Sequence, residues 1–127
     1  LHTNSCSTLV GVLEQRINSF KANQDQNILN YRLIDFKIQK LIDSKLSQNI
    51  DTTKLNIDLE TYRNMVFNFK QKYLGFISIL EEAKTLGDID NSITFENKLS
   101  QAEIILTELR NNAEEIKLFL NTINIPE

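Results

Sequence analysis

Asp88, Asp90, Ser92, Thr94 and Glu96 place an oxygen-bearing side chain at every second position, the spacing with which a calcium loop gathers its ligands. An EF-hand-type loop also needs glycine at its sixth position, for a sharp turn, and glutamate at its twelfth. Counted from Asp88, those positions hold Ile93 and Leu99. Helix-capping groups and solvated acids account for the same residues equally well. His2 and Cys6 stand four apart, which on a helix puts both on one face and within reach of one metal ion. Two ligands do not complete a tetrahedral site. Cys6 is the one cysteine, so it offers no internal disulfide and is open instead to pairing between chains.

Enzymatic constellations are missing. The one histidine is His2, so no Ser/His/Asp set can form within the chain, and there is no glycine-rich phosphate loop, HExxH or CxxC. Glu81-Glu82 and Glu114-Glu115 are neighbours in sequence and read as solvated helix faces. The expectation is a protein that is not an enzyme and takes no cofactor. A net charge of −3 and a pI near 5.2 argue against nucleic acid as a partner, because that calls for a concentrated basic face. No run of about 18 apolar residues exists, so no membrane span is expected.

The elements that position these residues follow from three glycines and one proline in 127 residues. So few turn formers make few turns, and the elements between them must be long; a sandwich or barrel needs a turn signal every ~8–12 residues. Stepping by three and four from Val10 gives Leu13, Ile17, Phe20, Gln24, Asn27, Tyr31, Ile34, Ile38, Leu41 and Lys45, an apolar stripe interrupted at Gln24, Asn27 and Lys45. Leu33, Ile42 and Leu46 widen it. The same stepping from Leu55 to Ala83 and from Phe95 to Ile123 meets apolar residues throughout. The spacing predicts helices over about 7–48, 52–86 and 93–122, in one all-α domain over 1–127: an elongated, antiparallel, up-down-up three-helix bundle with coiled-coil-like heptad seams. At ~1.5 Å per residue the first helix is ~60 Å long, so the bundle is a rod.

The breaks carry their own signals. Asp51 can cap free amides while Ile50 packs on Leu55 as a hydrophobic staple. Gly87 is placed for the left-handed turn of a helix end. Ser92 or Thr94 can cap the third start, and Pro126 bars continuation. Residues 47–53 contain neither glycine nor proline, so one long helix through Asp51 is the alternative at the first junction.

Antiparallel register, taken from Ser47 beside Leu55 and Leu86 beside Ser92, puts Gln24 and Asn27 opposite Tyr73 to Ser78 and near Ser100. Gln24, Asn27, Ser78 and Ser100 are therefore a candidate polar layer, with Gly75 allowing close helix approach. Such a layer can bind a small ligand or ion, or it can simply set register. Tyr62, Phe69, Tyr73 and Phe76 lie on the seam and belong to the core. Phe36, Phe67 and Phe119 fall off the seams and form a candidate partner surface.

Charge is uneven. Lys/Arg against Asp/Glu run 6 to 4 over residues 1–50, 5 to 5 over 51–86 and 3 to 8 over 87–127. If the first and third helices lie side by side, this is mostly internal complementarity.

Cys6, Arg16-Ile17, Phe20-Lys21-Ala22-Asn23 and Tyr31 resemble uncharacterised exported helical proteins of reduced-genome bacteria, as do Asp51-Thr52-Thr53-Lys54-Leu55, Lys70-Gln71-Lys72-Tyr73, Ala113-Glu114-Glu115-Ile116 and Ile125-Pro126. The resemblance covers most of the chain. It implies export past the inner membrane, a coiled-coil body and no activity. It also implies a second cysteine near the second turn, which residues 87–95 lack. A start at Leu1 fits a processed product such as one with its signal peptide removed, or the edge of a longer cytoplasmic chain.

The expected function is a structural or protein-interaction module, acting on a protein partner or by self-association, extracytoplasmic in location. The alternative is a small-ligand or metal-ion bundle using the polar layer or the acidic 88–96 turn.

Overall fold

The computed structural model describes the backbone over residues 2–88 and 92–125 and the side chains over 8–87 and 93–125. Three helices account for it: α1, His2–Ser47; α2, Thr53–Asp88; and α3, Ser92–Leu120. They form an elongated antiparallel three-helix bundle. All the predicted seam positions are buried or half-buried, the polar Gln24, Asn27 and Lys45 included. The 3.6-residue period thus puts one side of each helix in the core. Leu33 and Leu46, expected to widen the α1 stripe, instead point outward.

α2 is the central helix. It packs along both α1 and α3, whereas α1 and α3 scarcely approach each other. Ion pairs follow the same pattern. Lys21–Glu81, Glu14–Lys84 and Asp35–Arg63 join α1 to α2, and Lys72–Glu108 and Glu82–Lys98 join α2 to α3. Among the described residues none bridges α1 and α3. The charge asymmetry between the first and third helices is therefore not neutralised inside the molecule.

The first junction is a turn and not a continuous helix. Asn49 takes φ 59°, the left-handed region. Ile50 N–H then reaches back to the Lys45 carbonyl (2.9 Å) and Asn49 N–H to the Leu46 carbonyl (3.0 Å), the paired bonds of a Schellman end. Asparagine fills the place glycine usually takes. On the far side Asp51 Oδ1 accepts from the Thr53 amide (3.0 Å) and the Thr53 hydroxyl (2.6 Å), while buried Thr52 gives its carbonyl to the first α2 bond, from Asn56. Those bonds hold the Asp51 carboxyl below its ordinary pKa. Ile50 is exposed.

Gly87 does something other than stop a helix. α2 runs past it to Asp88, and no glycine has positive φ among the described residues. Gly87 is buried, and a Cβ there would lie 2.6 Å from Val10 Cγ2. It admits α1 at close range. Gly75, expected in that role, has open space around it. The side chains of His2, Cys6, Asp88, Asp90 and Ser92, and Pro126, lie outside the described residues.

Candidate interaction face

Register between α1 and α2 is set by two phenols. Tyr62 donates to the Tyr31 carbonyl and Tyr73 to the Phe20 carbonyl, both at 2.8 Å and eleven residues apart on each helix. Eleven residues is close to three helical turns, so both bonds lie on one seam. Each carbonyl has a second lone pair beyond the one used in its own helix. Edge-to-face ring contacts run between them without a gap: Phe20–Phe76 (4.8 Å), Phe76–Tyr73 (5.9 Å), Tyr73–Phe69 (5.7 Å), Phe69–Tyr31 (5.6 Å) and Tyr31–Tyr62 (6.3 Å). Burial pushes the Tyr31, Tyr62 and Tyr73 hydroxyls above their ordinary pKa, Tyr62 most.

Asn27 shares a groove of about 360 Å³ with Phe69, Tyr73 and Arg110, between α1 and α3. Ser78 and Ser100 are exposed and take no part, so the expected four-residue polar layer is not assembled. Gln24 is 8% exposed, and no side-chain N or O among the described residues is sealed off without a partner. The groove does collect amides from Asn23, Gln26 and Asn27 beside the Arg110 guanidinium. It has no carboxylate, histidine or cysteine to move a proton or hold a metal. Among the described residues no three His, Cys, Asp or Glu side chains converge anywhere.

The second groove, about 520 Å³, lies between α1 and α2 toward the first junction. Tyr31, Tyr62 and Val66 line it on the core side, and Phe36 stands on its α1 lip, 61% exposed, with the Lys40 ammonium 5.6 Å above its ring. Arg63 closes one side with a two-pronged bond to Asp35 (2.7 and 3.0 Å). Arg32 and Lys70 also line the groove, and among the described residues no ion pair engages either. Phe67 follows Arg63 by four residues and precedes Lys70 by three, which puts it on the α2 side of this groove, and its ring is exposed.

Of the three off-seam aromatics, then, Phe36 and Phe67 flank one groove and Phe119 does not join them. Phe119 is half-buried against the core near the end of α3. Seam stepping missed the rest of the face. Leu29, Leu33 and Phe36 follow i, i+4, i+7 spacing and are all at least half exposed. They lie on the side of α1 opposite Tyr31, Ile34, Ile38 and Ile42. A second stepping, offset by half a turn from the core seam, would have found them.

No protein family, no curated protein and no solved structure matches this chain. No helix among the described residues is long and apolar enough to cross a membrane.

Proposed function

We propose that the protein is a non-enzymatic protein-interaction module whose docking face is the outer side of α1 from Leu29 to Lys40 together with the groove beside it. One observation carries the reading: mid-α1 is apolar on two opposite sides. The inner side is used by the core. The outer side leaves Leu29, Leu33 and Phe36 about half exposed, so burying the rest of each against a partner is worth roughly half of the ~1.5–3 kcal/mol that full burial of such a side chain gives. The rim is basic, through Arg32, Lys37, Lys40 and Lys70. An apolar centre inside a charged rim is the usual anatomy of a docking patch.

A photo-crosslinking residue at position 36, compared with one at exposed Gln15 about 30 Å along α1, tests this in cells that make the protein. The expected result is a protein adduct at position 36 that is lost with Leu33→Glu and is not seen at position 15. Absence of any position-specific adduct would end the reading.

A second reading is a small polar ligand in the α1/α3 groove, supported by Arg110, which no ion pair engages among the described residues, beside the Asn23 and Asn27 amides and an aromatic floor of Phe20, Phe69 and Tyr73. A native-state ligand must raise the melting temperature. The rise should vanish with Arg110→Ala; a panel of small carboxylates that gives no rise counts against it.

A further inference from the structure

We infer that the occupant of the α1 face is the outer side of α3 of a second copy, so that the chain assembles head to tail. The inference rests on the reading of α1 as a docking face and names its partner. Between Ile28 and Lys40 the one carboxylate, Asp35, is already held by Arg63, which leaves Arg32, Lys37 and Lys40 around the apolar stripe. The outer side of α3 is the complement. Ile104 and Leu118 are 63% and 56% exposed and stand two heptads apart, on one side and about 21 Å from each other. Glu103, Glu114 and Glu115 flank them, and among the described residues no ion pair engages any of the three. Arg110 is turned to the α1/α3 groove, Glu108 is used by Lys72, and exposed Lys117 beside Leu118 is the one further cation of this stretch, against three free glutamates.

These two faces cannot meet within one chain. Where α1 and α3 come together, around the Arg110 groove, they do so by their inner sides, and the exposed residues of both faces lie on the outer sides of their helices. Each chain thus carries one basic-apolar face and one acidic-apolar face of matching character, and neither is satisfied internally. A contact between unlike faces is heterologous: it leaves one free face at each end and grows into chains or a closed ring. It also draws on charge attraction at a partly exposed rim, so salt weakens it.

The test is sedimentation velocity on purified full-length chains. The wild type should show a weight-average mass that climbs with concentration beyond twice the 14.7 kDa monomer. Raising salt about tenfold should weaken association by about tenfold or more. Leu33→Glu with Phe36→Ala removes one face, and Ile104→Lys with Glu115→Lys removes the other. All four positions are exposed, and unchanged melting curves confirm that the folds survive. Each variant alone should be monomeric, since every contact needs one intact face of each kind. Mixed together they should form a 1:1 dimer and nothing larger, because one compatible pair of faces remains. A strictly monomeric wild type, assembly by either variant alone, or no dimer on mixing overturns the inference. In the first and third cases an adduct at position 36 with a different protein still upholds the docking face, so the two failures are told apart.

Discussion

Tyr73 donates its phenol proton to the backbone carbonyl of Phe20, 2.8 Å away, across the α1–α2 seam. With Tyr62 on Tyr31 this makes a two-point lock on how far α1 slides along α2. Phe69 and Phe76 pack on Tyr73 from either side, so the ring is fixed before the hydroxyl is considered.

Replacing Tyr73 with phenylalanine keeps the ring and removes the bond. The expected cost is about 1 kcal/mol for Tyr73→Phe or Tyr62→Phe, near the usual net worth of one hydrogen bond, read by urea denaturation. The pair should cost more than either alone, because both hold one register.

The same phenols give an alkaline limit. Burial raises the pKa of Tyr62 and Tyr73 above the ordinary value of 10.0, so the folded state disfavours the ionised form. Their contribution is fully present below pH 10.0 and is lost as pH rises through the folded-state values. Tyrosinate absorbance and loss of helical circular dichroism should rise together above that pH. Tyr62→Phe with Tyr73→Phe should remove most of the coupling, whereas titration of the phenols with helicity intact would contradict it.

Two glycines on α2 should respond with opposite sign to the same substitution. Glycine within a helix normally costs about 0.5–1 kcal/mol relative to alanine. Gly75 has open space around the added methyl, so Gly75→Ala should stabilise by about that amount. At Gly87 the methyl meets Val10 Cγ2 at 2.6 Å, and Val10 is β-branched and stiff, so Gly87→Ala should destabilise. Shortening the obstacle with Val10→Ala should restore part of the loss. Equal melting temperatures for Gly75→Ala and Gly87→Ala would show that Gly87 admits no close approach.

Asn49 tests the first junction. Its φ of 59° suits glycine better than any side chain, so Asn49→Gly should be neutral or stabilising. Asn49→Ala should cost about 1 kcal/mol, since alanine resists the left-handed region and lacks asparagine's local hydrogen bonding. A melting curve for each variant settles the ordering, and an alanine variant as stable as wild type would contradict it.

The core was legible because a helical period reports burial directly, and Leu13, Tyr62 and Ile116 fall where that period puts them. The first junction was half legible: Asp51 announces a start, but a helix ended by asparagine gives a weaker signal than one ended by glycine. Gly87 misled because the residue that ends helices also serves where two backbones approach, and only Val10 shows which use applies. Ser78 and Ser100 failed as layer partners because neither falls on the apolar seam of its helix, and the face a side chain takes is set by its place on that helix whatever the register between helices. Leu29 went unread, and Leu33 was assigned to the core stripe, because only one stripe was sought on a helix that carries two.

Phe36 and Phe119 separate surface from core most sharply. Both fall off the seams, yet Phe36 stands in solvent on the α1 lip while Phe119 packs on the core beside Leu120 and Ile116. Phe36→Ala should therefore leave stability within about 0.5 kcal/mol, as surface changes usually do. Phe119→Ala removes a partly buried ring and should cost about 2 kcal/mol, somewhat below the range for a fully buried one. Binding or assembly should respond in the reverse order: strongly to Phe36→Ala, and to Phe119→Ala only as far as folding is weakened. If Phe36→Ala instead lowered the melting temperature as much as Phe119→Ala, the outer stripe of α1 would be serving the fold, and the case for a docking face there would be lost.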